Sequence, residues 1–179
     1  MADRSTSLTP PGEKVDFDDE VDFFGDPGLD LEQLGFHVFQ TRENVDDYGG
    51  PRDMPDIRFE IDPNLAARPN DNYSTMVWVP GAVPTANLNR WSPFNDATST
   101  GDWYLTGSET NCTQANPCSS EELKDTLDDG GEAPSIYTAA VGKGRDHMWT
   151  GAVDDFRIDQ HIYDFEADGV RARPAPRAN

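Results

Sequence analysis

The sequence predicts an all-β fold, an antiparallel β-sandwich with an extended N-terminal arm and one short helix, and three observations carry it. Ile57-Arg-Phe-Glu-Ile61 alternates apolar and polar residues with a period of two until Pro63 and Asn64 end it, the pattern of a half-buried strand. Ser74-Thr-Met-Val-Trp-Val79 and Asp102-Trp-Tyr-Leu-Thr106 are runs of strand length, the first stopped by Pro80 and Gly81 and the second framed by Gly101 and Gly107; both are expected to cross the core. Residues 136–159 read strand, glycine turn, strand, which is a closing hairpin.

The elements follow in chain order. Residues 1–30 form an acidic arm in which Val15, Phe17, Val21 and Phe23 are interleaved with Asp16, Asp18, Glu20 and Asp22. Composition alone favours a disordered tail, but Phe17, Phe23 and Phe24 cost about 1.5–3 kcal/mol each to leave in water. The arm is therefore expected to dock, on its own domain or on a neighbour. Residues 30–35 read as one helical turn stopped by Gly35, Phe36–Phe39 as a short strand, and 44–55 as a turn-rich linker. Residues 84–100, rich in Asn, Pro and Thr, read as a surface loop carrying Trp91 and Phe94. Ser119 followed by Glu122 is a capping box, so 119–127 is the expected helix. Strands are expected at 136–141, 148–158 and 160–165, and the domain at 31–170, with a Pro/Arg tail at 171–179 in which Arg171, Arg173 and Arg177 make a local positive patch.

Of 179 residues, 34 are acidic and 14 basic, a formal charge of −20. Such a surface repels nucleic acid and anionic lipid, so neither is an expected partner; a protein, a cation or a neutral glycan is. Lysines are few, Lys14, Lys124 and Lys143, and Asp outnumbers Glu, which fits a high-GC genome or a salt-adapted host. No apolar run approaches the length of a membrane span, and the first residues lack the apolar stretch of a secretory signal. Cys112 and Cys118 flank Asn116 and Pro117, a turn that can return the chain on itself; a small-loop disulfide worth about 2–3 kcal/mol and two free surface thiols are both open readings.

In the last strand, strict alternation puts Ala152, Phe156 and Ile158 on one face and Val153 and Arg157 on the other, with Asp154 among the apolar set. An unpaired carboxylate there is costly. Either the strand bulges near Asp154 and Asp155, or Asp154 takes backbone amides of the turn at Gly142 and Gly144. The run Gly151-Ala-Val-Asp-Asp-Phe-Arg-Ile158 resembles the last-strand signature of laminin-G-like, concanavalin-type jelly-roll domains. That resemblance covers about 136–159 and implies an architectural role for Gly151, Asp154, Asp155 and Arg157. Two features depart from it: the tryptophan and paired histidines of the family's central strand are absent, and His161–Val170 replaces its helical ending. Tyr163-Asp-Phe-Glu-Ala-Asp-Gly-Val170 is similar to endings of minor structural proteins in tailed viruses of actinobacteria or haloarchaea.

For catalysis, Glu60 and Asp62 are the nearest approach to the paired carboxylates of sandwich glycosidases, and Pro63 and Asn64 interrupt the strand where a second glutamate would stand. No enzyme activity is expected. His37, His147 and His161 lie far apart, and Asp16-Phe-Asp-Asp-Glu20 lacks the glycine of a calcium loop, so no cofactor and no metal site is assigned. Trp91 and Phe94 are candidates for stacking on a sugar, plugging a neighbouring subunit or covering their own core. The leading expectation is a non-enzymatic virion protein, a capsid decoration or minor tail component, that adheres to other virion proteins and to copies of itself through Phe17, Phe23, Phe24, Trp91, Phe94, Arg171 and Arg173. A lectin-like module for host attachment is the alternative. On this view a chain lacking 1–28 keeps its core and loses assembly.

Overall fold

A computed structural model describes residues 7–9, 14–28, 30–46, 54–81, 88–107, 110–145, 148–166 and 169–175. The chain is an antiparallel β-sandwich. Its strands are β1 (Ser7–Thr9), β2 (Val15–Asp19), β3 (Leu34–Gln40), β4 (Asp56–Asp62), β5 (Ser74–Val79), β6 (Asn95–Asp96), β7 (Asp102–Thr106), β8 (Ser135–Lys143), β9 (Trp149–Ile158), β10 (His161–Glu166) and β11 (Gly169–Pro174), with helices α1 (Glu43–Asp46) and α2 (Ser120–Leu127). The first sheet runs β11-β10-β9-β3-β6, with β1 beside β10 on the same edge of β9; the second runs β2-β8-β4-β5-β7.

Alternation sets the core. Ile57, Phe59 and Ile61 of β4 turn inward and are fully buried, while Asp56, Arg58, Glu60 and Asp62 turn out. Phe36 of β3 meets Trp78 of β5 edge to face with ring centroids 5.6 Å apart, which is the first sheet packing on the second. Helix α2 closes one end with Leu123 and Leu127 buried; Ser119 accepts from the Glu122 amide at 3.2 Å, and Glu122 accepts from the Ser119 amide at 2.8 Å. Among the described residues no helix is long and apolar enough to cross a membrane.

Of the two places where the arm could dock, its described part takes its own domain. Strand β2 pairs with β8 from Val15↔Lys143 to Asp19↔Ala139, and Phe17 packs against Tyr163 and Phe165 of the opposite sheet. Phe23 is buried at 4% exposure against His161 and Tyr163. The Tyr163 hydroxyl reaches Asp22 at 3.1 Å and Asp19 at 3.4 Å; burial, then those carboxylates, push its phenol far up, so it stays a neutral donor. An arm so packed is part of the core. Residues 171–174 of the expected tail belong to β11, paired with β10, and Arg173 binds Asp155 at 2.5 Å. Arg177 lies outside the described residues.

Four local expectations are corrected. Residues 30–35 form no helical turn, because the Asp159 carboxylate takes the Glu32 and Gln33 amides at 2.8 Å each and feeds Leu34 into the sheet. The loop assigned to 84–100 is, over 89–97, an irregular edge of β3, with Asn89 N, Ser92 N and Ala97 N donating to Gln40 O, Val38 O and Leu34 O. The linker assigned to 44–55 opens with the second helix, α1, whose Asn44 side chain mimics a strand: its Nδ2 donates to Thr150 O and its Oδ1 accepts from Thr150 N. The faces of β9 also differ from strict alternation. Asp155 sits at φ 51°, three β9 residues span two of β3, and the faces switch there. Val153, Phe156 and Ile158 therefore share the inner face, while Ala152, Asp154 and Arg157 share the outer.

Candidate functional site

At that bulge Asp154 is 5% exposed; its Oδ1 accepts from the Asp155 amide at 2.9 Å and from Phe165 N at 3.3 Å. The carboxylate thus satisfies the β10 amide that the bulge leaves without its ladder partner. Asp155 holds Arg173 of β11, and Arg157 Nε donates to Asp159 O at 3.1 Å. Gly151 has no room for a side chain, since a Cβ would lie 2.3 Å from Phe39 O and 2.4 Å from the Trp149 ring. These four residues tie β3, β9, β10 and β11 together.

Trp91 and Phe94 lie on the outer face of the first sheet. The Trp91 ring stands 5.9 Å from Phe39, and Phe94 meets His37 edge to face at 5.6 Å. Phe94 can lie there because Gly35 has no side chain; a Cβ would stand 2.9 Å from its ring and 2.0 Å from Asn95 O. His37 Nδ1 is 3.0 Å from Ser92 O. His161 faces Phe23, and His147 is outside the described residues. Among the described residues no group of three or more His, Cys, Asp or Glu side chains is placed to hold a metal ion.

Cys112 and Cys118 are joined in a disulfide, Cα to Cα 5.3 Å. Leu105 N donates to Cys112 O, and Trp103 exchanges both backbone bonds with Cys118, so the closed loop covers the outer edge of β7.

The outer face of the second sheet brings together groups that lie far apart in sequence. Toward one end, Lys14, Asp16, Arg58 and Asp56 form a chain of ion pairs across β2, β8 and β4, with Arg58 Nε 2.6 Å from Asp56. Gly142 is the gap that lets Arg58 reach Asp16. Burial holds the Asp56 carboxyl above its usual range despite Arg58; burial works against the guanidinium too, but its two carboxylates outweigh that and hold Arg58 up. Arg58 gains from two carboxylates, while its charge does not offset the burial of Asp56.

Toward the other end, β8 bulges opposite Glu60 and Ile61: Glu60 pairs with Thr138 and Ile61 with Ile136, leaving Tyr137 as the extra residue. Its hydroxyl donates to Asp62 at 3.2 Å, and Tyr73 donates to Glu60 at 2.8 Å. The Glu60 hydrogen bond raises the Tyr73 phenol, and burial followed by Asp62 raises that of Tyr137, so both remain protonated donors. Phe24 stacks on Tyr137 at 6.1 Å and is 68% exposed, and Tyr73 is 50% exposed. Phe24 was among the sequence candidates. Tyr73 and Tyr137 were not, and no local signal marks Tyr137, whose outward aim depends on the register of β8 against β4. Each of Glu60 and Asp62 is already engaged by a tyrosine. No family profile, no curated protein and no solved structure matches this chain.

Proposed function

We propose that the protein is a non-enzymatic recognition domain that binds a neutral glycan on the outer face of its second sheet, at Phe24, Tyr73 and Tyr137. One observation carries the reading: two strongly exposed aromatic rings and a third beneath one of them stand beside two carboxylates on the face of a sheet. Aromatic faces stack on the C–H surface of a sugar ring, and carboxylates accept from its hydroxyls. The charge of −20 favours an uncharged sugar over an acidic one. Trp91, packed on Phe39, is not part of this surface. The disulfide fits an oxidising environment such as a cell or virion surface. The test is a neutral-glycan array probed with the full chain. Tyr73→Ala and Phe24→Ala should each weaken the best hit about tenfold or more, and Trp91→Ala should leave it unchanged. Absence of any hit, or hits indifferent to Tyr73 and Phe24, sinks the reading.

A second reading rests on a different observation. Val21, in the arm near Phe24, is 83% exposed, and Val15, the first residue of β2, is 48% exposed; the outer edge of β2 pairs with no strand among the described residues. Apolar side chains at an open edge suit a protein neighbour. This supports a virion structural role, a capsid decoration or minor tail protein bound to other virion proteins or to its own copies. Val21→Asp, folded but no longer incorporated into particles, is the outcome that reading requires. Normal incorporation of that variant removes it.

A further inference from the structure

On one side of the sandwich the second sheet stops a strand short of the first. Phe17 of β2, the last strand of the second sheet, lies against Tyr163 and Phe165 of β10, so β11, the next strand of the first sheet, runs past it. All six residues of β11 are exposed. The register sets Val170 beside Phe165 and Ala172 beside Tyr163, and paired residues share a face. Val170, 43% exposed, and Ala172 therefore make an apolar underside with no strand across from it among the described residues, while Arg171 and Arg173 point to the outer face. In β2, Phe17 points inward and Asp16 and Asp18 outward, where Asp16 meets Arg58. Asp18 is exposed and makes no ion pair among the described residues. Among those residues neither β2 nor β11 pairs on its far side, and the two open edges carry opposite charge: Val15–Asp19 holds three acids and no base, Gly169–Pro174 two arginines and no acid.

We infer that a second copy of the chain docks on this side, with β11 of each copy adding to β2 of the other about a two-fold axis parallel to the strands. A half turn about that axis sets the first sheet of one copy level with the second sheet of its partner, so each such pair continues as one sheet and inner faces stay inner. The two overhanging β11 strands then lie one over the other at the axis, where Val170 and Ala172 of each copy cover those of its partner. On the outer faces Arg171 and Arg173 stand beside Asp16 and Asp18 of the other copy, an attractive cross-strand arrangement. Pairing β2 with β2 or β11 with β11 would set like charges side by side instead. One operation closes both open edges, which is an isologous contact. The charge of −20 on each copy opposes association, but at about 0.15 M salt a screening length of about 8 Å damps that repulsion and spares charges in contact. The inference rests on the same open edge of β2 as the second reading above, yet its test reads the isolated chain in solution and not incorporation into particles, so the two can fail separately.

The test is sedimentation equilibrium of the full chain at about 0.15 M salt, with thermal unfolding to confirm that each variant folds. The expected result is a reversible monomer–dimer equilibrium with no larger species, since the contact closes on itself. Asp18→Arg and Arg171→Glu should each raise the dissociation constant about tenfold or more, because symmetry repeats every reversal at both junctions. The two together should return it to within about threefold of the unaltered protein. Glu121→Arg, the same change of charge at an exposed position of α2, should not weaken the dimer. Should Arg171→Glu not fold, Asp18→Arg against Glu121→Arg decides alone. A chain that stays monomeric up to about 1 mM, the range of a very weak contact, overturns the inference. So does a dimer indifferent to Asp18→Arg, or a double variant that associates no better than the single ones.

Discussion

Phe23 and Phe24 are neighbours in the chain with opposite surroundings: the first is 4% exposed among His161 and Tyr163, the second 68% exposed on Tyr137. Phe23→Ala removes a core ring and should cost about 3–5 kcal/mol in urea denaturation, while Phe24→Ala should stay within about 0.5 kcal/mol of the unaltered protein. Equal effects would show that the turn at 22–25 does not hold Phe23 inside. Asp154 gives a second contrast. Asp154→Ala leaves the Phe165 amide without its acceptor and should cost about 1–3 kcal/mol, whereas Ala152→Ser on the same outer face should cost less. Period-two patterning made Ile57, Phe59 and Ile61 readable because each depends only on its own strand. The faces of Val153, Asp154 and Phe156 depend on a bulge. The cost of burying a carboxylate announced that bulge in the sequence, but alternation alone could not place it.

Strand β2 was visible as alternation and the helix as its capping box; what the strand packs against was not. Phe17 lies on Tyr163 and Phe165, nearly 150 residues away along the chain, and such long-range pairing leaves no local trace. The consequence reverses one expectation. A chain lacking 1–28 loses β2, Phe17 and Phe23 together and should fail to give a cooperative unfolding transition, instead of keeping its core; a sharp transition near that of the full chain would show the arm to be dispensable. The turn after β6 offers a test by pH. Partial burial acts to raise the Asp96 carboxyl, but hydrogen bonds from Thr98 Oγ1 at 2.7 Å, Thr98 N at 2.9 Å and Ser99 Oγ at 2.9 Å outweigh it and hold it below the usual carboxylate range. A depressed folded-state pKa stabilises fully above the unfolded value, about 3.9, and is lost as pH falls through the folded one. Asp96→Asn should therefore flatten the acid limb of stability against pH and change its neutral plateau by a constant. An unchanged acid limb would show that other carboxylates set it.

At the scale of the whole molecule, 14 bases cannot neutralise 34 acids, and the bases with resolved ion pairs include Arg58 and Arg173, each of which already serves two carboxylates. The folded state concentrates the surplus on a surface that the unfolded chain would spread out, so self-repulsion works against folding. Raising sodium chloride from about 0.01 M to about 1 M shortens the screening length from about 30 Å to about 3 Å. That should raise the melting temperature by about 5 °C, which corresponds to roughly 2 kcal/mol in a chain of this length. Recognition of an uncharged sugar at Tyr73 and Phe24 should be nearly indifferent to the same change, because the sugar brings no net charge whose attraction or repulsion salt could screen. The two responses separate the forces: repulsion among acids governs how well the sandwich holds, and aromatic contact governs what it holds. A melting temperature that falls with salt would mean that the ion pairs around Arg58 contribute more to the fold than the surplus acids take away.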